Sequence, residues 1–400
     1  MLKRYFFFAV ILLVYFSCTP PKTPEENLLE KILENRGGVV EQVMQNPEKY
    51  RLQMIYTQVD RDSLNRPHFT TTSFRVNEKE YFYPASTVKL PAAILALEKL
   101  NKLGTPHLDR NTPMFTDSAY SGQSAVYADS TSETGFPSVG HYIRKIFLVS
   151  DNDAFNRLYE FIGQGPFNYG LHTRGFTGTR ILHRLDIFLS PDENRHTNPV
   201  NFVHEGEKIY WQPLVYNERP VPLPDSIFVG KGDRIDDSVL VMKPKDFTGK
   251  NAFPLMDQHR FLQEVMFPGS LDGKPKFFLT EDDYQFLYQA MSELPGESQY
   301  PAYDTTHYYD SYVKFLMFGD SKKKMPGNIR VYNKVGAAYG FLIDNAYIVD
   351  EEKGIEFFLS AAIYVNEDGI FNDEIYEYDT VAFPFLGELG RAMYEYEVGR

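Results

Sequence analysis

The sequence predicts a mixed α/β (α+β) fold in which an antiparallel sheet is assembled from both ends of the chain. Strand-like alternation of apolar and polar residues occurs at 51–76 and returns at 329–365. Between these segments, apolar residues recur mostly with helical spacing, and a helical stretch lies near each end. We therefore expect a sheet flanked by terminal helices, an inserted helical lobe, and a ligand cleft between the lobes.

The first 17 residues are typical of an export signal rather than of a folded domain. Lys3 and Arg4 precede an apolar run from Tyr5 to Phe16, which is too short to cross a bilayer comfortably. We interpret residues 1–17 as a signal peptide.

Cys18, the only cysteine of the chain, follows this segment directly. The segment resembles a bacterial lipoprotein signal, although Tyr15 stands where Leu is usual. The resemblance implies an acylated Cys18 that anchors the protein to the cell envelope, facing the periplasm or the cell surface. The alternative is an ordinary signal peptide with a coincidental cysteine. In either case a lone cysteine excludes an internal disulfide.

The first part of the chain after the signal predicts a tether, a helix and a β-hairpin. The Pro-rich tether is expected at 18–25, the helix at 26–35, and the hairpin strands at 51–59 and 68–76.

The middle and the end of the chain predict four helices, a three-stranded meander and a terminal helix. The helices are expected at 86–104, at 138–149, at 152–162, and from a capping box at Thr280 to about 294; the strands at 329–334, 341–349 and 355–365; and the last helix at 379–397, bent at Pro384.

This order divides the chain into two lobes. Residues 26–85 and 325–400 form the expected α/β lobe, and residues 86–324 the helical lobe. Within the helical lobe, residues 203–275 are rich in prolines and loops, so we interpret them as an insertion that either roofs the cleft or extends the outer surface.

The charge and the histidine pattern exclude some classes of partner. The net charge of −13 argues against nucleic acid, because phosphates would be repelled. The nine histidines are scattered without the spacing of metal ligands, and we expect neither a metal nor an organic cofactor.

Three short motifs carry possible chemistry. In Ser86-Thr87-Val88-Lys89, a helical turn places the lysine beside the serine, where an uncharged amine can accept the hydroxyl proton. In Ser150-Asp151-Asn152, between two helices, the serine can relay a proton and the Asn152 amide can hold a carbonyl. Lys334-Val335-Gly336-Ala337 closes a strand, with Gly336 permitting close approach of a ligand.

Each motif also has a purely structural interpretation. The first reads as a helix cap followed by an exposed lysine, the second as ordinary cap residues, and the third as a strand end with one exposed lysine. Their order and their predicted placement on a helix, an interhelix loop and a terminal strand together favour the chemical interpretation.

In that order the motifs resemble those of the serine β-lactamase and penicillin-binding protein superfamily, most closely the class A-like serine hydrolases. The similarity extends over Tyr83 to Pro91, over Ser150 to Gly163, and over Lys334 to Ala346. It implies a β-lactamase/transpeptidase-like fold and a serine hydrolase that works without a cofactor.

The resemblance also implies roles for individual residues. Ser86 would be acylated and Lys89 would activate it, while Ser150, helped by Lys334, would pass a proton to the leaving group. For substrate binding, Asn152 would orient the substrate amide beside the strand at Gly336. The backbone N–H groups of Ser86 and Ala337 would form the oxyanion hole.

Two positions depart from the family pattern. The loop that begins at Arg184 resembles the one that carries the deacylating glutamate, but we place Leu189 at that position. Asp186, Asp192 or Glu193 would replace the glutamate only if the loop is folded differently; otherwise they are structural carboxylates.

The second departure is Val335, which stands where Thr or Ser usually helps to bind a substrate carboxylate. The loss of one hydrogen bond to a charged group costs about 1.5–3 kcal/mol.

The sequence therefore predicts an acyl-enzyme hydrolase of an amide or ester, with a small-molecule or peptidoglycan-like substrate. The alternative is a penicillin-binding receptor or scaffold that turns over little or not at all, because Leu189 cannot activate water.

Overall fold

The computed structural model describes residues 27–236, 239–271 and 273–400. The predicted signal peptide, the tether and Cys18 lie outside these residues. Within the described ranges, no helix is both long and apolar enough to cross a membrane.

The helices lie at the two ends of the chain and in its middle. They are α1 Leu28–Leu33, α2 Val39–Gln45, α3 Lys89–Leu103, α4 Val139–Val149, α5 Asn152–Ile162, α6 Gln164–His172, α7 Pro191–Arg195, α8 Leu255–Met266, α9 Glu281–Ser292 and α10 Phe383–Gly399.

Five long strands form the main sheet, and the short ones form small ribbons. The strands are β1 Gln53–Arg61, β2 Pro67–Phe74, β3 Met114–Thr116, β4 His196–Thr197, β5 Val200–His204, β6 Glu207–Gln212, β7 Val215–Tyr216, β8 Phe228–Val229, β9 Gly232–Asp236, β10 Val239–Val241, β11 Lys245–Asp246, β12 Ile329–Ala338, β13 Phe341–Asp350, β14 Ile355–Tyr364 and β15 Ile370–Phe371.

The main sheet joins the two ends of the chain, as the sequence predicts. Its order is β12-β13-β14-β1-β2, and every neighbouring pair is antiparallel. The pairing of β1 with β14 brings Met54 opposite Ala361. The predicted α/β class with an antiparallel sheet is confirmed, and β12 is left as an edge strand.

One face of the sheet is covered by the terminal helices. Leu29 of α1, Val40 of α2 and Leu389 of α10 pack into one buried cluster with sheet residues such as Val331 and Leu359. Because side chains alternate along a strand, the residues between them point to the opposite face, toward the helical lobe.

Helix α8 covers the opposite face and was not predicted from the sequence. His259 lies fully buried between the hydroxyls of Thr57 and Ser360, each 2.7 Å from one ring nitrogen. Residues 203–275, interpreted above as a loop-rich insertion, thus include a regular helix whose residues Phe261, Leu262 and Val265 belong to the core beneath the sheet.

Three further boundaries differ from the predictions. Ser86 lies in a short 3-10 helix, Ala85–Val88, and the α-helix begins only at Lys89. The short helix α2 follows Gly38 and was not predicted. The predicted last helix begins as a π-helical turn, Tyr378–Ala382, that passes directly into α10, so Pro384 lies just after the change of helix type.

Candidate active site

Ser86 is held by a backbone turn in an uncommon conformation. The preceding residue, Ala85, has φ 46°, in the left-handed region that non-glycine residues seldom adopt. The 3-10 helix that starts there leaves Ser86 partly exposed while its neighbours on both sides are buried. Strain of this kind persists only where the surrounding structure enforces it.

Lys89 lies one turn after Ser86 and is completely buried. Its Nζ is 2.8 Å from Ser86 Oγ, 3.2 Å from Ser150 Oγ and 2.6 Å from Asn152 Oδ1. It also donates to the backbone carbonyl of Ser150. The amine therefore joins the first two motifs of the sequence.

Burial changes the protonation of this amine. Desolvation lowers the pKa of Lys89 to about 7, although the carboxylates of Asp151 and Asp186 act in the opposite direction. At neutral pH a substantial fraction of Lys89 is uncharged, which is the form able to accept a proton from Ser86.

The second motif forms the corner between α4 and α5. Ser150 ends α4 in the left-handed conformation, with φ 61°, and Asp151 caps α5 by accepting a hydrogen bond from the Ala154 N–H at 2.8 Å. The cap interpretation is therefore correct for Asp151. Ser150 and Asn152 instead contact Lys89, and Asn152 Nδ2 lies 3.5 Å from Asp186 Oδ2.

The third motif reaches the same place from the edge strand β12. Lys334 is buried, not exposed, and its Nζ lies 2.9 Å from Ser150 Oγ and 3.1 Å from its neighbouring carbonyl, Val335 O. Burial, followed by the nearby charge of Lys89, lowers the pKa of Lys334 well below its ordinary value. The structure thus brings all three motifs together around Ser86.

Gly336 lets the strand approach the turn that carries Ser86. A Cβ on Gly336 would lie 2.5 Å from Pro84 O, closer than a side chain can approach a backbone oxygen, and 3.2 Å from Ala85 Cβ. The chain itself thus approaches Gly336 closely, and Gly336 also lines one of the cavities at Ser86. Ala337, the next residue, is exposed beside Ser86.

Ser86 opens onto two cavities, which we name by their walls. The loop chamber, of about 330 Å³, is lined by Tyr83, His183, Leu185, Lys250 and Tyr339, among others. The tyrosine chamber, of about 640 Å³, is lined by Ser150, Tyr308, Tyr309, Tyr312 and Phe383, among others. Ser86, Asn152, Asp186 and Ala337 line both.

The loop position assigned to Leu189 needs correction. Leu189 lines neither chamber and instead packs against Gly122, whose Cβ, if present, would lie 2.3 Å from Leu189 Cδ2. Leu185 lines the loop chamber with Ser86. Its backbone is held at both ends by Asn156, whose side chain accepts from Leu185 N at 2.8 Å and donates to Leu185 O at 2.9 Å.

The three carboxylates of this loop have different surroundings in the structure. Asp192 bonds to Tyr120 and Glu193 to Ser121 and Ser190, so both serve the loop itself. Asp186 alone of the three lines the chambers at Ser86. Its left-handed φ of 55° turns the chain directly after Leu185, and this is the different loop folding that the sequence left open.

The aromatic walls were not predicted from the sequence. Tyr308, Tyr309 and Tyr312 follow a cis Tyr300-Pro301 bond in a segment without regular structure, so no periodic pattern marked them. Their spacing of three and four residues was the one available signal. In the described parts of the chain, no group of three or more His, Cys, Asp or Glu residues is placed to hold a metal ion.

Comparison with known proteins supports the resemblance seen in the motifs. Residues 48–218 match the family model Beta-lactamase2, described as the β-lactamase enzyme family. The match includes the first two motifs and ends well before Lys334. It confirms the predicted resemblance to the serine β-lactamase and penicillin-binding protein superfamily. No curated protein matches the chain significantly.

Several solved structures are similar to this chain at low identity. A β-lactamase from Burkholderia vietnamiensis has 13% identity and a TM-score of 0.48, covering 93% of this chain and 97% of that one. A class A β-lactamase from Clostridium kluyveri has 14% identity and a TM-score of 0.47, covering 89% and 97%. A protein named PBP-A has 12% identity and a TM-score of 0.49, covering 94% and 98%.

Proposed function

We propose, from the match of residues 48–218 to the model of the β-lactamase enzyme family, that this protein is a serine hydrolase that is acylated on Ser86. The observation that carries the proposal is the position of Lys89 Nζ, 2.8 Å from Ser86 Oγ. A buried, partly uncharged amine at hydrogen-bond distance is what activation of a serine hydroxyl requires.

Acylation follows from these contacts. Lys89 takes the proton of Ser86 as the oxygen attacks the carbonyl carbon of an amide or ester. The backbone N–H groups of Ser86 and Ala337 receive the developing oxyanion, a contribution of about 3 kcal/mol per donor in comparable enzymes. Ser150, 3.2 Å from Lys89 and 2.9 Å from Lys334, passes a proton to the leaving group. Asn152 orients the substrate amide.

The residues around Ser86 support deacylation less well than acylation. Of the loop residues that line the chambers at Ser86, Leu185 cannot deprotonate water, and Asp186 is a carboxylate one methylene shorter than the usual glutamate. This favours the second candidate function, a penicillin-binding receptor or scaffold that keeps its acyl group and turns over slowly. Asp186, which lines both chambers, is the carboxylate available to speed the step.

One pair of reagents separates the two candidates. The chain without residues 1–25 is incubated with a fluorescent penicillin and, separately, with a chromogenic cephalosporin. Stable labelling that Ser86→Ala abolishes, without cephalosporin turnover, supports the receptor. Rapid Ser86-dependent turnover supports a β-lactamase. An activity-based serine probe covers hydrolysis of another amide or ester, and its failure to label Ser86 contradicts both candidates.

We also propose that the protein is a lipoprotein of the cell envelope, acylated at Cys18. The support is the basic and apolar leader that ends at the only cysteine of the chain. Metabolic labelling with a fatty-acid analogue tests this. Label in the wild type that is lost in Cys18→Ser is the expected result, and equal labelling of both would contradict it.

A further inference from the structure

The tyrosine chamber has an unusually continuous aromatic wall. The rings of Tyr308 and Tyr312 lie 4.9 Å apart at 77°, and those of Tyr309 and Tyr312 lie 5.9 Å apart at 82°. Edge-to-face packing of this kind leaves ring faces turned in different directions around one space. Ring faces are electron-rich and attract cations.

One tyrosine of this wall already holds a cation. Lys322 Nζ lies 5.2 Å from the centre of the Tyr309 ring. Among the described residues, no such cation lies over Tyr308 or Tyr312. Both rings line the chamber, and the Tyr308 ring also packs against Tyr303 at 5.0 Å.

The charged residues that line the chamber itself are all carboxylates. Asp151, Asp153 and Asp186 line it, and no lysine, arginine or histidine among the described residues does so. Asp151 pairs with Lys145 at 3.4 Å and Asp153 with Arg157 at 2.8 Å.

Asp186 differs from these two carboxylates. Within the described ranges it has no ion-pair partner, and the hydrogen-bond partner of its side chain is the Asn152 amide, at 3.5 Å. Asp186 therefore lines the same chamber as Ser86 and the tyrosines without an ion pair, although its charge also acts on the buried Lys89. The loop chamber, which Asp186 also lines, differs in containing the cations Arg184 and Lys250.

The leaving group of a substrate belongs in the tyrosine chamber. Ser150, the residue that delivers the leaving-group proton in the proposed function, lines this chamber and is absent from the loop chamber. A carboxylate on that side would face Asp186 and find no hydroxyl at Val335, and the cations next to the wall, Lys322 and Lys334, already contact the Tyr309 ring and Ser150 Oγ. A positively charged group would meet complementary charge and two ring faces.

We infer that the tyrosine chamber selects substrates whose leaving group carries a cation of the substituted-ammonium class, held by Asp186 and by the rings of Tyr308 and Tyr312. The inference rests on the proposed function and gives its substrate class. In the step concerned, Ser86 Oγ bonds to the acyl carbon, the bond to the leaving oxygen or nitrogen breaks, and that atom receives the proton through Ser150. Water later releases the acyl group as an acid and restores the Ser86 hydroxyl.

A matched series of aryl acetates tests the selection. The three substrates are 3-(trimethylammoniomethyl)phenyl acetate, its neutral isostere 3-neopentylphenyl acetate, and the anionic 3-(carboxymethyl)phenyl acetate. Each kcat/KM is divided by the spontaneous hydrolysis rate of the same ester, which removes differences in leaving-group reactivity. We expect the cationic ester to be favoured about tenfold over the neutral one, the scale of a desolvated cation–π contact with an added carboxylate, and the anionic ester to be the poorest.

Three variants assign the preference to the chamber. Asp186→Asn and Tyr308→Leu should each reduce it several-fold. Asp192→Asn, which changes a carboxylate on the same loop outside both chambers, should leave it unchanged. Equal use of the neutral and cationic esters, or a preference for the anionic one, would overturn the inference.

A binding measurement separates this result from failure of the proposed function. Calorimetry on Ser86→Ala compares benzyltrimethylammonium with phenylacetate and needs no catalysis. Tighter binding of the cation, lost in the Ser86→Ala, Asp186→Asn double variant, supports the chamber even if no ester is hydrolysed, in which case only the proposed function fails. Equal or weaker binding of the cation would overturn the chamber assignment even if esters are hydrolysed through Ser86.

Discussion

Lys334 Nζ and Ser150 Oγ lie 2.9 Å apart although 184 residues separate them in the chain. The contact joins the edge strand of the sheet to the corner between two helices of the other lobe. Because Ser150 also contacts Lys89, the two buried lysines meet at one hydroxyl. Ser86, Lys89, Ser150 and Lys334, which the sequence marked in three separate motifs, thus form one hydrogen-bonded group.

The protonation of Lys89 predicts how acylation depends on pH. Burial lowers its pKa to about 7, so the uncharged form that activates Ser86 increases as the pH rises toward that value. We expect the rate of Ser86 labelling by a fluorophosphonate probe to rise about tenfold per pH unit below 7 and then to level off. Labelling rates measured between pH 5 and 9 check this.

An arginine in place of Lys89 stays protonated. Lys89→Arg should therefore lose both the fast labelling of Ser86 and the increase of the labelling rate with pH. Lys102→Arg, on the exposed side of the same helix, is the matched control and should behave as the wild type. A wild-type profile that is flat from pH 5 to 9 would argue against Lys89 as the base.

The corrected loop geometry predicts where a carboxylate restores turnover. Leu185 lines the loop chamber with Ser86, whereas Leu189 packs against Gly122. Leu185→Glu should speed deacylation by about 10-fold or more, short of the 10²–10⁴ of an optimally positioned base. The measurement is the steady-state rate after the burst with p-nitrophenyl acetate.

Leu189→Glu is the control for this experiment and should leave the post-burst rate unchanged. If Leu189→Glu accelerates deacylation and Leu185→Glu does not, Leu189 reaches the acyl group and its placement outside the reaction site is wrong.

The contact between Gly336 and the Ser86 turn predicts a combined loss of stability and reactivity. A methyl group at Gly336 would lie 2.5 Å from Pro84 O, so Gly336→Ala must push the strand away from the turn. We expect a loss of about 1–3 kcal/mol in the free energy of unfolding, as for other overpacked sites, together with slower labelling of Ser86. Denaturant unfolding and labelling kinetics measure the two effects.

Gly327→Ala serves as the comparison, since nothing lies within 4 Å of the added methyl there. It should change neither quantity appreciably. Gly336→Ala with wild-type stability and wild-type labelling would show that the close packing of strand and turn is unnecessary.

The buried His259 of helix α8 should make the stability of the fold sensitive to acid. Complete burial lowers the pKa of His259 to about 3, so the folded state keeps the ring neutral while the unfolded state binds a proton below about 6.5. Stability from this residue is therefore present above pH 6.5 and is lost as the pH falls toward 3, at about 1.4 kcal/mol per pH unit.

The experiment compares the free energy of unfolding of the wild type with that of His259→Gln between pH 4 and 7. The advantage of the wild type should shrink as the pH is lowered, whereas the exposed His68→Gln should follow the wild type throughout. A pH-independent difference between wild type and His259→Gln would contradict the neutral, buried ring.

Local signals in the sequence were sufficient for much of the fold. The Thr280 capping box begins α9 as predicted, because a cap depends on residues three positions apart. The hairpin of β1 and β2 and the meander β12–β14 follow from alternation with a period of two. Helix α8 was missed because it lies among prolines and loops, and only its packing on the sheet shows that it is a core element.

The site was predictable in composition but not in geometry. The motif order brought Ser86, Lys89, Ser150 and Lys334 together correctly. The loop after Arg184 was placed wrongly because one left-handed residue, Asp186, redirects the chain, and sequence spacing alone cannot show such a turn. The tyrosine wall was not anticipated, since it lies in a segment without repeating structure.

The most direct test of the central claim, that Lys89 activates Ser86 for acylation, is the intact mass of the protein after reaction with a fluorophosphonate probe, followed by peptide mapping of the adduct. We predict one adduct per chain, located on Ser86, absent in Ser86→Ala and strongly reduced in Lys89→Arg. An adduct on another residue, or full labelling of Ser86→Ala, would contradict the claim.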